Sequence, residues 1–176
     1  MTSPTLTELF RRHGSDKDHE QGHSYGQVYD RLLAPVRDTV TRVLEIGVLG
    51  GASLRAWRDY FPHALVFGVD THTPPFEEWQ VSARRADATK AEDLDAALGG
   101  RAWDLCVDDG SHWEHDQLKT FELLRPKLKP DGIYVVEDIQ CLSSHDKFRA
   151  LGFEVFDLRA EKNRFDDVIA VYRHPG

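Results

Sequence analysis

Two apolar runs in this 176-residue chain stop abruptly at carboxylates. Leu105-Cys106-Val107 runs into Asp108-Asp109-Gly110-Ser111-His112, and Ile133-Tyr134-Val135-Val136 runs into Glu137-Asp138. Carboxylates crowded together repel unless a proton or a cation separates them. Clustered oxygen donors are what a hard divalent ion takes as ligands. His112, three residues beyond Asp109, adds a group that can accept a proton near neutral pH. Together these types suit the activation of a hydroxyl: a cation holds the oxygen and lowers its pKa, and an imidazole takes the proton.

The acids can cooperate only if the fold brings the two runs side by side. Each reads as a buried strand, and the segment between them carries Leu118, Phe121, Leu124 and Leu128 on one helical face. Pro130-Asp131-Gly132 reads as the turn into the second strand. As parallel neighbours the strands would open on the same sheet edge, where ligands bind in open α/β sheets. The bland alternatives are helix capping by Asp109 and Ser111 and an ordinary strand exit at Glu137-Asp138. Acids at both ends make that joint alternative the weaker one.

The same alternation runs upstream. Val43-Leu44-Glu45-Ile46-Gly47 reads as a strand, Gly50-Gly51 as a turn, and Ser53 as the N-cap of a helix carrying Leu54, Trp57 and Phe61. Glycines at such a turn let a ligand approach the backbone beside a helix N-terminus. The spacing is not that of a dinucleotide site, because position 49 is Leu. Residues 65–69 form a second strand ending at Asp70, whose carboxylate could accept the hydroxyls of a ribose. An edge strand within 79–88 would end near Asp87, placing that acid near an adenine amino group. The alternative for Asp70 and Asp87 is loop capping; their order after the glycine turn favours a ligand.

Residues 1–41 are helical in pattern, with Leu6, Leu9 and Phe10 on one face and Tyr25, Val28, Tyr29, Leu32 and Leu33 on another. The tail differs: residues 153–158 alternate with period two, and 167–172 form another strand close enough for a hairpin. The expected fold is an α/β sandwich with a mainly parallel sheet, N-terminal helices and an antiparallel C-terminal hairpin. The length suits a single domain, with 1–41 as a cap or lid segment on a core of 42–176.

Composition narrows the partners. Lys and Arg number 22 against 30 acids, a formal charge of −8, which disfavours nucleic acid or an anionic membrane as the main partner. No apolar run is long enough to span a membrane, and the first residues lack a signal-peptide pattern. Cys106 and Cys141 give neither a disulfide framework nor a zinc-site spacing, so a cytoplasmic location is expected.

Over residues 42–173 the chain resembles the class I S-adenosylmethionine-dependent methyltransferases. Val43–Gly47 resembles their first motif, Asp70 their ribose acid, and Asp108 or Asp109 the acid at their fourth strand end. A narrower resemblance rests on five separated segments: Gly14-Ser15-Asp16-Lys17, His23-Ser24-Tyr25, Tyr29, 107–112 and 134–139. In order, these are similar to the metal-dependent sugar O-methyltransferases of the mycinamicin and macrocin type. The resemblance implies a Rossmann-like sandwich and S-adenosylmethionine held by Glu45, Gly47, Gly51, Asp70 and Asp87, with Asp108 nearby. It also implies magnesium at Asp109, Glu137 and Asp138, with His112 as general base. The acceptor would be a hydroxyl of a sugar or similar small natural product, and related enzymes are often homo-oligomers. Macrolide enzymes of this type are considerably longer than this chain. Alternatives are a metal-independent or catechol-type methyltransferase and a non-catalytic S-adenosylmethionine-binding module; a nicotinamide-dependent enzyme ranks last.

Other candidates read as structural. His19 and His23 have i, i+4 spacing but lack a third ligand, so both are expected to be exposed polar residues. Tyr25 and Tyr29 read as helix packing, Trp57 as core, and Trp79 and Trp113 as core or pocket rim. Gly14–Lys17 is either a surface turn or a lid over the site, and His115 is a modest rival to His112.

Overall fold

The computed structural model describes residues 3–18, 20 and 22–176. Eight strands make one sheet: β1 (Arg42–Ile46), β2 (Leu65–Asp70), β3 (Phe76–Glu78), β4 (Val81–Arg85), β5 (Trp103–Asp108), β6 (Leu128–Val136), β7 (Glu154–Asp157) and β8 (Val168–Arg173). Their order is β3-β4-β2-β1-β5-β6-β8-β7. β1 pairs in parallel with β2 and β5, β2 with β4, and β5 with β6; β8 lies antiparallel between β6 and β7. The chain winds outward from β1 through β2 to β4, then returns to the other side of β1 as β5. That reversal is the topological switch point, and the crevice at the strands' carboxyl ends there is the usual ligand site.

Side chains alternate across each strand and so feed two cores. Val43, Val66, Leu105, Val107 and Val135 face one layer with α1 (Leu6–His13), α2 (Gly26–Leu33) and α3 (Ala52–Tyr60). Leu44, Ile46, Cys106, Tyr134 and Val136 face the other, with α4 (Ala91–Leu98), α5 (Glu114–Leu124) and α6 (Leu142–Ala150). A short α7 (Arg159–Lys162) lies between β7 and β8.

The N-terminal helices are fastened firmly, which matters for the site. Thr5 and Glu8 form a capping box at the start of α1, and Gly14 ends it at φ 72°. Asp30 of α2 accepts from the Leu6 amide at 2.6 Å and the Thr7 hydroxyl at 2.7 Å. Phe10 and Tyr29 each meet the fully buried Trp57 edge-on at 5.0 Å. This aromatic joint fixes the 14–18 segment over the sheet edge.

Several sequence expectations change. The N-cap of α3 is Gly51 at φ 75°, one residue before the helix begins, so Ser53 is already inside it. Leu128 opens β6 rather than closing a helix, and Pro130-Asp131-Gly132 lies within β6, where the register to β5 shifts between Trp103 and Leu105. The strand expected at the edge within 79–88 is β4, which ends at Arg85 and lies one place in, because the short β3 pairs antiparallel outside it. α6 carries no strong amphipathic pattern and was not expected. Among the described residues no helix is long and apolar enough to cross a membrane.

Candidate functional site

β5 and β6 are parallel neighbours with Asp108 opposite Val136, so the two acidic ends do converge. The Asp109 amide still bonds the Ile46 carbonyl at 2.9 Å and the Glu137 amide the Asp108 carbonyl at 2.9 Å, which holds both exits rigidly. Alternation then separates the acids. Asp108 faces the α5 layer, where Tyr134 donates to it at 3.3 Å. Asp109 and Glu137 face the N-terminal helices.

Between them lies Lys17, 1% exposed. Its Nζ sits 2.6 Å from Asp109 Oδ2, 2.5 Å from Glu137 Oε2 and 3.2 Å from Glu45 Oε1. Burial alone would lower its pKa, but the fields of Asp109, Glu137 and Glu45 outweigh it and keep the ammonium charged. Burial opposes ionisation of Asp109 too, yet Lys17 and the His112 hydrogen bond bring its pKa down to about 2. Glu137 is pushed well above the usual carboxylate range by burial, against the pull of Lys17. Its other oxygen accepts from the Tyr29 hydroxyl.

His112 takes a left-handed φ of 61° and turns back over the acids. Its Nε2 is 3.2 Å from Asp109 Oδ1 and its Nδ1 3.5 Å from Asp138 Oδ2. The hydrogen bond to Asp109 raises its pKa, against burial. Donor atoms of Asp109, His112 and Asp138 all lie within 4.8 Å of one another, close enough to share one ion. Two carboxylates in that group fit a divalent cation. Glu137 stands beside it, engaged by Lys17 and Tyr29.

Two cavities open at this edge, of about 450 and 540 Å³, a size that suits a small molecule. The first is lined by Gly47, Asp70, Asp87, Asp108 and Ser111, among others; the second by Gly14, Ser15, Asp16, Gly47, Asp70, Asp109 and His112. Gly47 stands in both walls at φ 85°, and a Cβ there would meet the Asp109 carbonyl oxygen at 1.9 Å. The glycine is what lets the first turn touch the end of β5. Asp70 also borders both. One oxygen accepts from the amides of Val48 at 2.8 Å and Leu49 at 3.2 Å, the other from His72 at 2.7 Å and Thr73 at 2.9 Å. Although burial opposes it, these four amides hold the carboxyl below the usual range. Asp108 behaves oppositely: burial lifts its pKa to about 7.

Four of the six residues expected around the cofactor, Gly47, Asp70, Asp87 and Asp108, therefore share the wall of the first cavity. Glu45 and Gly51 line neither. Glu45 is fully buried and accepts from Trp57 Nε1 at 2.7 Å, and Gly51 packs against Phe76. The site also holds residues that sequence reasoning set aside. His23 is 2% exposed rather than a surface residue, because Asp138 and Asp167 surround its Nδ1; His19 lies outside the described residues. Tyr25 and Tyr29 pack as expected, but their hydroxyls also bond Asp138 and Glu137. His115 is exposed and paired with Asp116, so it does not rival His112. Trp79 and Trp113 are both exposed. Ser111 accepts from the Trp113 amide at 3.3 Å ahead of α5, whereas Asp109 caps nothing.

A family model described as "Methyltransferase domain" matches residues 44–139, the stretch from β1 to the acids after β6. The chain belongs to this methyltransferase-domain family. It is 41% identical over 149 residues to the 8-demethyl-8-alpha-L-rhamnosyl tetracenomycin-C 2'-O-methyltransferase of Streptomyces olivaceus, covering 78% of this chain and 38% of that protein. It is 34% identical over 145 residues to the mycinamicin VI 2''-O-methyltransferase of Micromonospora griseorubida, covering 77% and 36%. A mycinamycin-pathway methyltransferase solved with Mg, SAH and mycinamycin VI superposes with a TM-score of 0.81 at 25% identity, covering 98% of this chain and 55% of that one. The chain thus spans under two-fifths of the length of these two curated relatives. Its mainly parallel sheet with an antiparallel C-terminal pair is the expected Rossmann-like methyltransferase sandwich.

Proposed function

We propose that this methyltransferase domain transfers a methyl group from S-adenosylmethionine to a sugar hydroxyl of a glycosylated natural product, with a divalent cation, magnesium by preference. The observation that carries the reading is the meeting of Asp109, Asp138 and His112, with Asp109 and His112 lining a cavity that Gly47 and Asp70 also line and Asp138 buried behind them. The relatives named for rhamnosyl and mycinamicin O-methylation support the acceptor class.

In this reading Gly47, Asp70, Asp87 and Asp108 surround the cofactor. Asp109 and Asp138 would hold the cation through their carboxylates, and Glu137, bonded to Lys17 and Tyr29, would have to exchange those partners to join them. When bound, the cation supplies Lewis acidity, lowering the pKa of an acceptor hydroxyl. The sulfonium methyl is already electrophilic, so the protein's main task is alignment. His112 then moves the proton. A carboxylate only accepts, so neutral His112 donates Nε2–H to Asp109 and keeps its free pair on Nδ1, the nitrogen that takes the acceptor's proton.

Lys17 favours a second reading. A buried ammonium already neutralises part of the acid cluster, so methyl transfer could proceed without metal. Assays with labelled S-adenosylmethionine and rhamnosylated polyketides, with and without chelator, separate the two. The cation reading expects activity lost in chelator and restored by Mg(II), and a kcat about 10²–10⁴-fold lower in His112→Ala with S-adenosylhomocysteine affinity retained. Full activity in chelator would establish the second reading instead. A cytoplasmic setting goes with either, since Cys106 and Cys141 are both free thiols. Homo-oligomerisation also belongs to the reading, and light scattering during turnover tests it.

A further inference from the structure

We propose that His23 is a positioning residue: it holds Oδ1 of Asp138 so that Oδ2 is presented to His112 and to the cation. The inference rests on the cation reading above. His23 reaches the site from the N-terminal segment, outside the region that the family model matches. Its Nε2 is 3.0 Å from Arg164 Nη2. A guanidinium can only donate, so Nε2 carries the free pair and Nδ1 carries the hydrogen. Nδ1 lies 3.3 Å from Asp138 Oδ1 and 3.5 Å from Asp167 Oδ1, close enough for its N–H dipole to act on both carboxylates though aligned for a hydrogen bond with neither.

Tyr25 completes the grip. Its ring stacks on His23 with centroids 4.6 Å apart, and its hydroxyl donates to the same Oδ1 at 2.6 Å. The same hydroxyl accepts from the Asp138 amide at 3.1 Å, which fixes a residue whose φ is 56°. The Tyr25 hydroxyl is therefore the hydrogen-bond donor to Oδ1, with the His23 N–H beside it, and Oδ2 faces His112. His23, Asp138 and Asp166 also have donor atoms close enough for an ion. A protonated Nδ1 cannot ligate, and Asp166 is taken by Arg164 Nε at 3.1 Å, so this group orients the neighbouring site instead.

Substitution isosteres separate positioning from simple support. His23→Asn places an amide N–H where Nδ1–H stands and loses the acceptor for Arg164. His23→Gln keeps that acceptor and loses the donor to Asp138. Paramagnetic resonance titration of free Mn(II) reads cation affinity without turnover, and S-adenosylhomocysteine binding with thermal melting reports folding. The expected result is Mn(II) binding about 10–100-fold weaker in His23→Gln and within about threefold of wild type in His23→Asn. If His23 served only to support Arg164, the order would reverse. Wild-type affinity in His23→Gln, or a loss in His23→Asn as large as that expected for Gln, overturns the inference, and either variant decides alone if the other does not fold. A wild-type chain that binds no Mn(II) removes the cation reading and this inference together.

Discussion

Asp108 is a buried acid that the fold would rather keep protonated, and Asp108→Asn tests this directly. Burial lifts its pKa from an ordinary 3.8 to about 7, with the Asp109 charge adding to the effect and the Gly110 amide and Tyr134 hydroxyl opposing it. Below the unfolded value both states hold the proton and Asp108 costs nothing. As pH rises from about 4 to about 7 the unfolded chain ionises first, so stability falls by about 1.4 kcal/mol per pH unit. Above pH 7 the full penalty is present, roughly 4 kcal/mol from the interval between 3.8 and about 7. Asparagine has the same shape and no charge. Its stability advantage should therefore grow with pH, by roughly 3 kcal/mol between pH 5 and pH 8. Urea midpoints for both proteins at several pH values, at constant ionic strength, measure it. An advantage that stays flat within about 1 kcal/mol over that range would refute the reasoning, since it would mean that water reaches Asp108 and burial does not set its pKa.

Two further outcomes follow from the same region. Lys17→Met leaves Asp109, Glu137 and Glu45 without their shared cation and should destabilise the fold by about 3–5 kcal/mol in urea unfolding, part of which Lys17→Met/Glu137→Gln recovers; a loss under about 1 kcal/mol would show that the acids do not depend on Lys17. Gly47→Ala would set a Cβ 1.9 Å from the Asp109 carbonyl oxygen at a φ of 85°, so it should cost at least about 1–3 kcal/mol and abolish S-adenosylhomocysteine binding measured by calorimetry.

The parallel sheet was legible because its signals are local. Apolar runs ending in Asp70, Asp108 and Glu137, glycine turns and intervening helical stripes mark strand ends within a few residues. The period-two tail announced the antiparallel β7–β8 pair for the same reason. α6 was hidden because its apolar residues are few and its burial rests mainly on Phe148 in the second core. The cavity-lining acids Asp70 and Asp108 could be named because a strand's carboxyl end is fixed by its own sequence, and Asp87 because it lies just two residues past the end of β4. Glu45 could not be sorted this way: one position along β1 separates an outward acid from one sealed beneath Lys17 and Trp57.

The sequence by itself determined that acids and a histidine would meet at one sheet edge, since strand direction and residue order allow little else. Only the tertiary structure decided what each acid faces. Lys17 meets Asp109 and Glu137 across 92 and 120 residues of chain, and Tyr25 meets Asp138 across 113. No local periodicity reports such partners. A lysine or histidine is ordinarily solvated, and burial follows only when opposite charges from distant segments make it favourable. Which carboxylates are left for a cation is therefore set by how α1, α2 and the 14–18 and 22–25 segments close over the sheet.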